Sequence, residues 1–192
     1  MTPQLVVLAG PNGAGKSTFY DVFLADSPLR FLDADRIAAE TGIDSLEAAR
    51  MLDAMRDRLI DDAIGFITET VFSDPHGAKL AMIDRAVAAG YAVVLVYVGV
   101  ANPELAERRV DARIALGGHD VPRERIASRY ARSLDNLAKA IAFVPRVELY
   151  DNSSADEPYR HVATFETGAM IWRMRGIVPR WARRFVPRRK RQ

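Results

Sequence analysis

Lysine and serine follow a run of glycines in Gly10, Pro11, Asn12, Gly13, Ala14, Gly15, Lys16, Ser17 and Thr18, spaced as G-x-x-x-x-G-K-S. The apolar run Leu5 to Ala9 precedes this stretch and a helix-like run to Leu24 follows it. In that context the glycines let the backbone curl until successive N–H groups point at a phosphate, and the following helix adds the positive end of its dipole. Lys16 would reach the β- and γ-phosphates of a nucleoside triphosphate, and the Ser17 hydroxyl would ligate Mg²⁺. ATP and Mg²⁺ are thus the expected cofactors. A glycine turn that merely precedes a helix would not need the lysine and the hydroxyl as well.

Carboxylates and arginines with chemical potential recur further on. Asp33 and Asp35 close the segment Arg30 to Ile37, read as a short strand. Two apart on an extended chain they would point the same way, where one could accept a proton from an attacking hydroxyl or hold Mg²⁺ through water. Asp35 could instead cap a helix beginning at Arg36. Glu69, between Thr68 and Thr70, repeats the pattern at the end of the next strand, while the most β-like run, Tyr91 to Val100, ends without an acid. Arg109 and Arg113 are four apart, hence on one helical face just before Gly117-Gly118. From there they could close over a triphosphate, or pair with Glu107 and Asp111 as ordinary surface ion pairs. The histidines at 76, 119 and 161 have no metal-ligand spacing.

The elements that must position these groups alternate. Strands are expected over Leu5 to Ala9, Arg30 to Ile37, Gly65 to Thr70, Tyr91 to Val100 and Val147 to Asp151. Helices are expected from Ser17 to Leu24, from Ser45 to about Ala63, from about Gly77 to Ala89, from Asn102 through Arg113, and from Pro122 to about Phe143. In the second of these Leu46, Ala49, Leu52, Met55, Leu59 and Ala63 mark the apolar stripe, with Met51 also assigned to the core. Such alternation implies a parallel sheet with helices on both faces. His161 to Glu166 could be an edge strand or a short helix.

At 192 residues the chain suits one well-buried domain. Without cysteine it has no disulfide or thiolate site, and its longest apolar run is too short to span a bilayer, so a cytoplasmic location is expected. The net charge of +2 conceals a division: residues 1–170 hold 18 Lys+Arg against 25 Asp+Glu, and the remainder holds nine Lys+Arg and no acid. The body is therefore no general polyanion binder. We expect a domain over 1–168 and a basic tail over 169–192, in which Ile171, Trp172, Met174, Trp181 and Phe185 interleave with the cations. Such a tail could lie on an anionic membrane, touch nucleic acid, or dock on the domain.

The sequence resembles the zeta-toxin-like P-loop kinases. The resemblance rests on the phosphate loop, on Phe31 to Ile37, on Glu69 to Ser73, on Arg109 to Arg113, and most specifically on Gly117-Gly118-His119-Asp120-Val121-Pro122 followed by Arg129-Tyr130-Ala131-Arg132-Ser133-Leu134-Asp135-Asn136-Leu137. It implies a P-loop NTPase fold of five parallel strands in the order 2-3-1-4-5. It also implies ATP- and Mg²⁺-dependent phosphorylation of a small hydroxyl compound, of which UDP-N-acetylglucosamine is the family's example. By position, Asp35 looks like the family's catalytic aspartate, Glu69 like its substrate-side carboxylate, and Arg109 and Arg113 like its nucleotide arginines. Asp33 and His119 depart from the family's residues, and together with Thr70 and Glu69 they are expected on the acceptor side, with Lys16 catalytic beside Asp35. An inhibitor protein of the antitoxin kind is a partner the resemblance suggests. A kinase of nucleic-acid ends and a nucleotide-dependent interaction module are the alternative classes.

Overall fold

The computed structural model describes residues 2–115 and 123–187. Strand β1 (Gln4–Ala9) is β-branched and unbroken because it is covered on both faces, and it pairs in parallel with β3 (Phe66–Thr70) and β4 (Ala92–Gly99). Parallel pairing of β2 (Arg30–Leu32) with β3 and of β5 (Arg146–Asp151) with β4 completes the order β2-β3-β1-β4-β5.

The sheet does not stop there. The expected five-stranded parallel sheet is a seven-stranded mixed one, because β6 (Arg160–Glu166) runs antiparallel to β5, and β7 (Ala169–Arg173) antiparallel to β6. Between β6 and β7 lie only Thr167 and Gly168, with φ of 44° and 82°. Two positive φ values in a two-residue loop match the twist of a hairpin, and this settles His161 to Glu166 as strand.

Six helices flank the sheet: α1 (Lys16–Phe23), α2 (Ala34–Thr41), α3 (Ser45–Asp61), α4 (Ala78–Ala88), α5 (Pro103–Ala115) and α6 (Arg123–Phe143). Alternate residues of each strand feed opposite sides. Leu5, Val7, Leu95 and Tyr97 face α3, α4 and the C-terminal segment; Leu8, Val96 and Val98 face α1 and α5. The buried stripe of α3 is Ala48, Leu52, Arg56, Leu59 and Ile60, whereas Leu46 and Met51 are exposed, so the expected stripe is corrected by a rotation about the helix axis. No helix among the described residues is long and apolar enough to cross a membrane.

Residues 169–187 are not an appendage. Beyond β7, a 3₁₀ turn over Arg180–Arg184 carries Trp181 into the core beside Met174, Val178 and Val186. The Trp181 indole donates to Asp151 Oδ1 at 2.8 Å, and a side chain on Gly99 would strike its ring at 2.4 Å. The boundary drawn at residue 168 from charge is thus crossed by the hairpin and by the core: cations dominate the composition, but the apolar residues between them decide the packing.

Candidate active site

The phosphate loop occupies the turn between β1 and α1. Gly15, with φ 89°, stands before the first helical residue, Lys16. A Cβ on Gly13 would lie 2.4 Å from the Ala106 carbonyl of α5, and one on Gly15 2.6 Å from Asn152 Nδ2, so close packing against neighbours requires both glycines. Lys16 is 6% exposed, its Nζ donating to Pro11 O at 3.2 Å and lying 3.5 Å from Glu69 Oε1. Ser17 Oγ donates to the other oxygen of the same carboxylate at 3.2 Å. This follows from register: Leu8 pairs with Glu69 and Ala9 with Thr70, so β3 ends beside the loop. One carboxylate thus pairs with the Lys16 ammonium and accepts from the Ser17 hydroxyl, and Asn12 Oδ1 is buried without a partner among the described residues.

A cavity of about 320 Å³ opens over the loop, lined by Asn12, Lys16, Ser17, Thr18, Asp35, Glu69, Arg109, Arg113, Asn152 and Tyr159 among others. A second, of about 480 Å³, is lined by Asp33, Asp35, Glu69, Thr70, Arg129 and Arg132, with further residues of α3 and the segment after β3. Asp35 and Glu69 belong to both. The junction between the cavities is therefore walled by two carboxylates.

The aspartates reach this junction differently from the expected parallel pair. The chain leaves β2 at Leu32, and Asp33, not Asp35, caps α2 by accepting from the Asp35 N–H at 3.2 Å. Asp35 lies in the first turn of the helix, exposed toward the cavities. Burial, and next the charge of Glu69, pushes the Asp33 carboxyl above the usual carboxylate range.

Several supporting groups escape a reading by motif. Arg56 of α3 is 3% exposed: its guanidinium donates to Thr68 Oγ1 at 2.8 Å, to Asp53 at 2.7 Å and to the Glu69 carbonyl at 2.9 Å, while Thr68 Oγ1 donates to Leu32 O at 3.2 Å. It thus ties the ends of β2 and β3 together beneath the carboxylates. Its signal was a charge on the Leu52/Leu59 face. Asn152 and Tyr159, from the β5–β6 connection, brace the phosphate loop: Asn152 Nδ2 donates to Ala14 O at 2.8 Å and Tyr159 Oη to Gly15 O at 2.9 Å. Arg109 donates to the Asn152 carbonyl at 2.7 Å, which joins α5 to the same brace. No sequence spacing pairs residues so far apart in the chain.

The narrow motif on α6 resolves into individual jobs. Tyr130 Oη donates to Val100 O at 2.8 Å, Ser133 shares a hydrogen bond with Tyr97, and Asn136 Nδ2 reaches Phe72 O and Asp74 O, both at 3.1 Å. Arg132 Nε donates to Ser73 O at 3.0 Å. These bonds fasten the segment after β3, where Phe72 is buried at φ 59°. Burial and the neighbouring Arg125 and Arg132 hold the Arg129 pKa below its ordinary value, and among the described residues Arg129 has no anionic partner. Gly117, Gly118 and His119 lie outside the described residues.

Ser17 and Glu69, 3.2 Å apart, are the hydroxyl and carboxylate that Mg²⁺ accepts beside a bound phosphate. Among the described residues no cluster of three or more acids and histidines offers another metal site. The donors and the glycine-lined loop fit ATP with Mg²⁺.

Comparison with known proteins agrees with this geometry. A shikimate kinase from Aromatoleum aromaticum is 34% identical over 146 residues, covering 72% of this chain and 82% of that protein. In the toxin-antitoxin system PezAT of Streptococcus pneumoniae, one chain superposes with a TM-score of 0.62 at 20% identity, over 85% of this chain and 71% of that one. The AvrRxo1-ORF1:ORF2 complex with ATP gives a TM-score of 0.62 at 15% identity, over 88% of this chain but only 60% of that one. These two structural likenesses show the fold. The profile of the zeta toxin family matches residues 1–162, and the chain belongs to that family.

Proposed function

We propose that the protein transfers the γ-phosphate of ATP to a hydroxyl of a small anionic acceptor. The observation that carries this reading is the pair of cavities sharing Asp35 and Glu69, one over the phosphate loop and one beside Arg129 and Arg132. Lys16 and the loop amides hold the phosphates; Ser17 and Glu69 would hold Mg²⁺, which would supply positive charge against the phosphates. Asp35 accepts the proton given up by the acceptor hydroxyl as its oxygen bonds to the γ-phosphorus and the bond to ADP breaks. Arg109 and Arg113 face the triphosphate from α5 and stabilise the group in flight.

Among the described residues Arg129 has no anionic partner, so an acceptor carrying phosphate or carboxylate would satisfy it. A sugar nucleotide such as UDP-N-acetylglucosamine has both the hydroxyls and the diphosphate. Thr70 and Asp33 line the acceptor side, and His119, outside the described residues, is proposed as a further acceptor contact. A toxin-antitoxin neighbour supports an inhibitor protein as partner.

The test is a screen of ATP consumption against sugar nucleotides, free sugars, small hydroxy acids and oligonucleotides, with products identified by mass. A product gaining one phosphate on an anionic sugar or hydroxy acid supports the reading. Phosphorylated oligonucleotide ends would replace it with a nucleic-acid-end kinase, and ATP binding without any product would replace it with an interaction module.

A further inference from the structure

A cavity of about 830 Å³ lies at the far end of the sheet from β2, walled by Arg173, Arg175, Arg183, Met174, Ile177 and Val186 among others. Arg173 spends one N–H on the Pro187 carbonyl and Arg183 one on the Val178 carbonyl; among the described residues none of the three guanidinium groups meets a carboxylate. Elsewhere the chain neutralises comparable arginines. Arg184, in the same 3₁₀ turn, pairs with Asp135, and Arg146 pairs with Glu148 and Glu166. Three like charges around one opening repel one another until an anion arrives, and the sequence after residue 168 contains no acid to supply one.

The rim is also apolar. Ile177 is 80% exposed beside Arg175, and Ile171 and Met170 are exposed on the adjoining strand. Cations flanking an unpaired aliphatic side chain are the composition of a surface that sits at the boundary between headgroups and acyl chains. A nucleic-acid surface would present aromatic faces for stacking. Here Trp181 is buried, and Trp172, although 45% exposed, has one face covered by His161, with rings 4.2 Å apart and 2° from parallel.

We propose that this end of the molecule docks on anionic bilayers, with Arg173, Arg175 and Arg183 receiving headgroup phosphates and Ile177 entering the acyl boundary. The site is separate from the phosphotransfer cavities, and its test does not depend on the acceptor.

Full-length protein should be co-sedimented with vesicles of pure phosphatidylcholine and with vesicles containing about 30% phosphatidylserine, at low and high salt, with Arg175→Glu and Ile177→Asp in parallel. The expected result is binding to the anionic vesicles alone, weakened by salt, and reduced about fivefold or more by each substitution, with ATP hydrolysis in the absence of vesicles unchanged. A soluble phosphoserine headgroup that failed to compete would support the bilayer as the source of the phosphates. The proposal is overturned if wild type ignores the anionic vesicles, if both variants bind as wild type does, or if a short oligonucleotide displaces the vesicles and its own retention is lost in Arg175→Glu.

Discussion

Asp33 and Asp35 stand two residues apart, one at the cap and one in the first turn of α2, and so have different tasks. Asp33 gives an oxygen to the cap of α2 and sits where burial disfavours its charge; Asp35, in the first turn of the helix, makes no side-chain hydrogen bond among the described residues and lines both cavities. Asparagine caps a helix as well as aspartate does, so Asp33→Asn should keep α2 and remove a desolvated charge beside Glu69. With its pKa raised above 3.8, folded Asp33 binds its proton more tightly than the unfolded chain does, so wild-type stability falls as pH rises from 3.8 through the raised value. Asp33→Asn should therefore melt higher than wild type at neutral pH, by less than about 1 kcal/mol, and the difference should vanish as pH falls to 3.8. Melting curves across that range check it. At the loop, Tyr159→Phe deletes the hydroxyl that holds Gly15 O and should weaken ATP binding roughly threefold to tenfold, as measured by calorimetry, with little change in melting temperature.

At the scale of elements, the alternation of apolar runs and turn residues made β1 to β5 and every helix but α2 legible, because their apolar residues obey simple periods. What was not legible is where polar groups override the period. The segment after Leu32 reads as continuous strand until the Asp33 cap competes for the Asp35 amide, and α3 reads as an all-apolar stripe until Arg56 is seen to be buried by its own hydrogen bonds. In the site, Lys16, Ser17 and Glu69 were readable from spacing and strand ends. The braces from Asn152 and Tyr159 were not, since they depend on β5 lying beside β4 and the chain returning to the loop. Arg56→Lys cannot reach Thr68, Asp53 and the Glu69 carbonyl together, so it should leave buried acceptors unmatched and cost about 1–3 kcal/mol in urea unfolding. It should also lower phosphotransfer, because Glu69 loses its anchor; unchanged stability and rate would remove Arg56 from the support of the site.

Across the whole molecule, the C-terminal hairpin and the turn after it convert a five-strand core into one seven-strand body closed by Trp181. A domain ended at residue 168 would uncover Tyr97 and Gly99, against which Trp181 packs. Trp181→Ala also removes one donor from buried Asp151, which keeps Ser153 and Arg160, and should destabilise the protein by about 3–5 kcal/mol, measurable by denaturant melts; a loss below about 1 kcal/mol would show that the segment packs only loosely.

The proposed reaction makes Asp35 the base, at the junction of the two cavities that it lines. The most direct measurement is the single-turnover rate of γ-phosphate transfer, at saturating ATP and with the acceptor found by the screen, for Asp35→Asn against wild type. The account predicts a loss of at least about 10²-fold with ATP affinity and fold unchanged. Near-normal transfer by Asp35→Asn, with the loss appearing in Asp33→Asn instead, would contradict it.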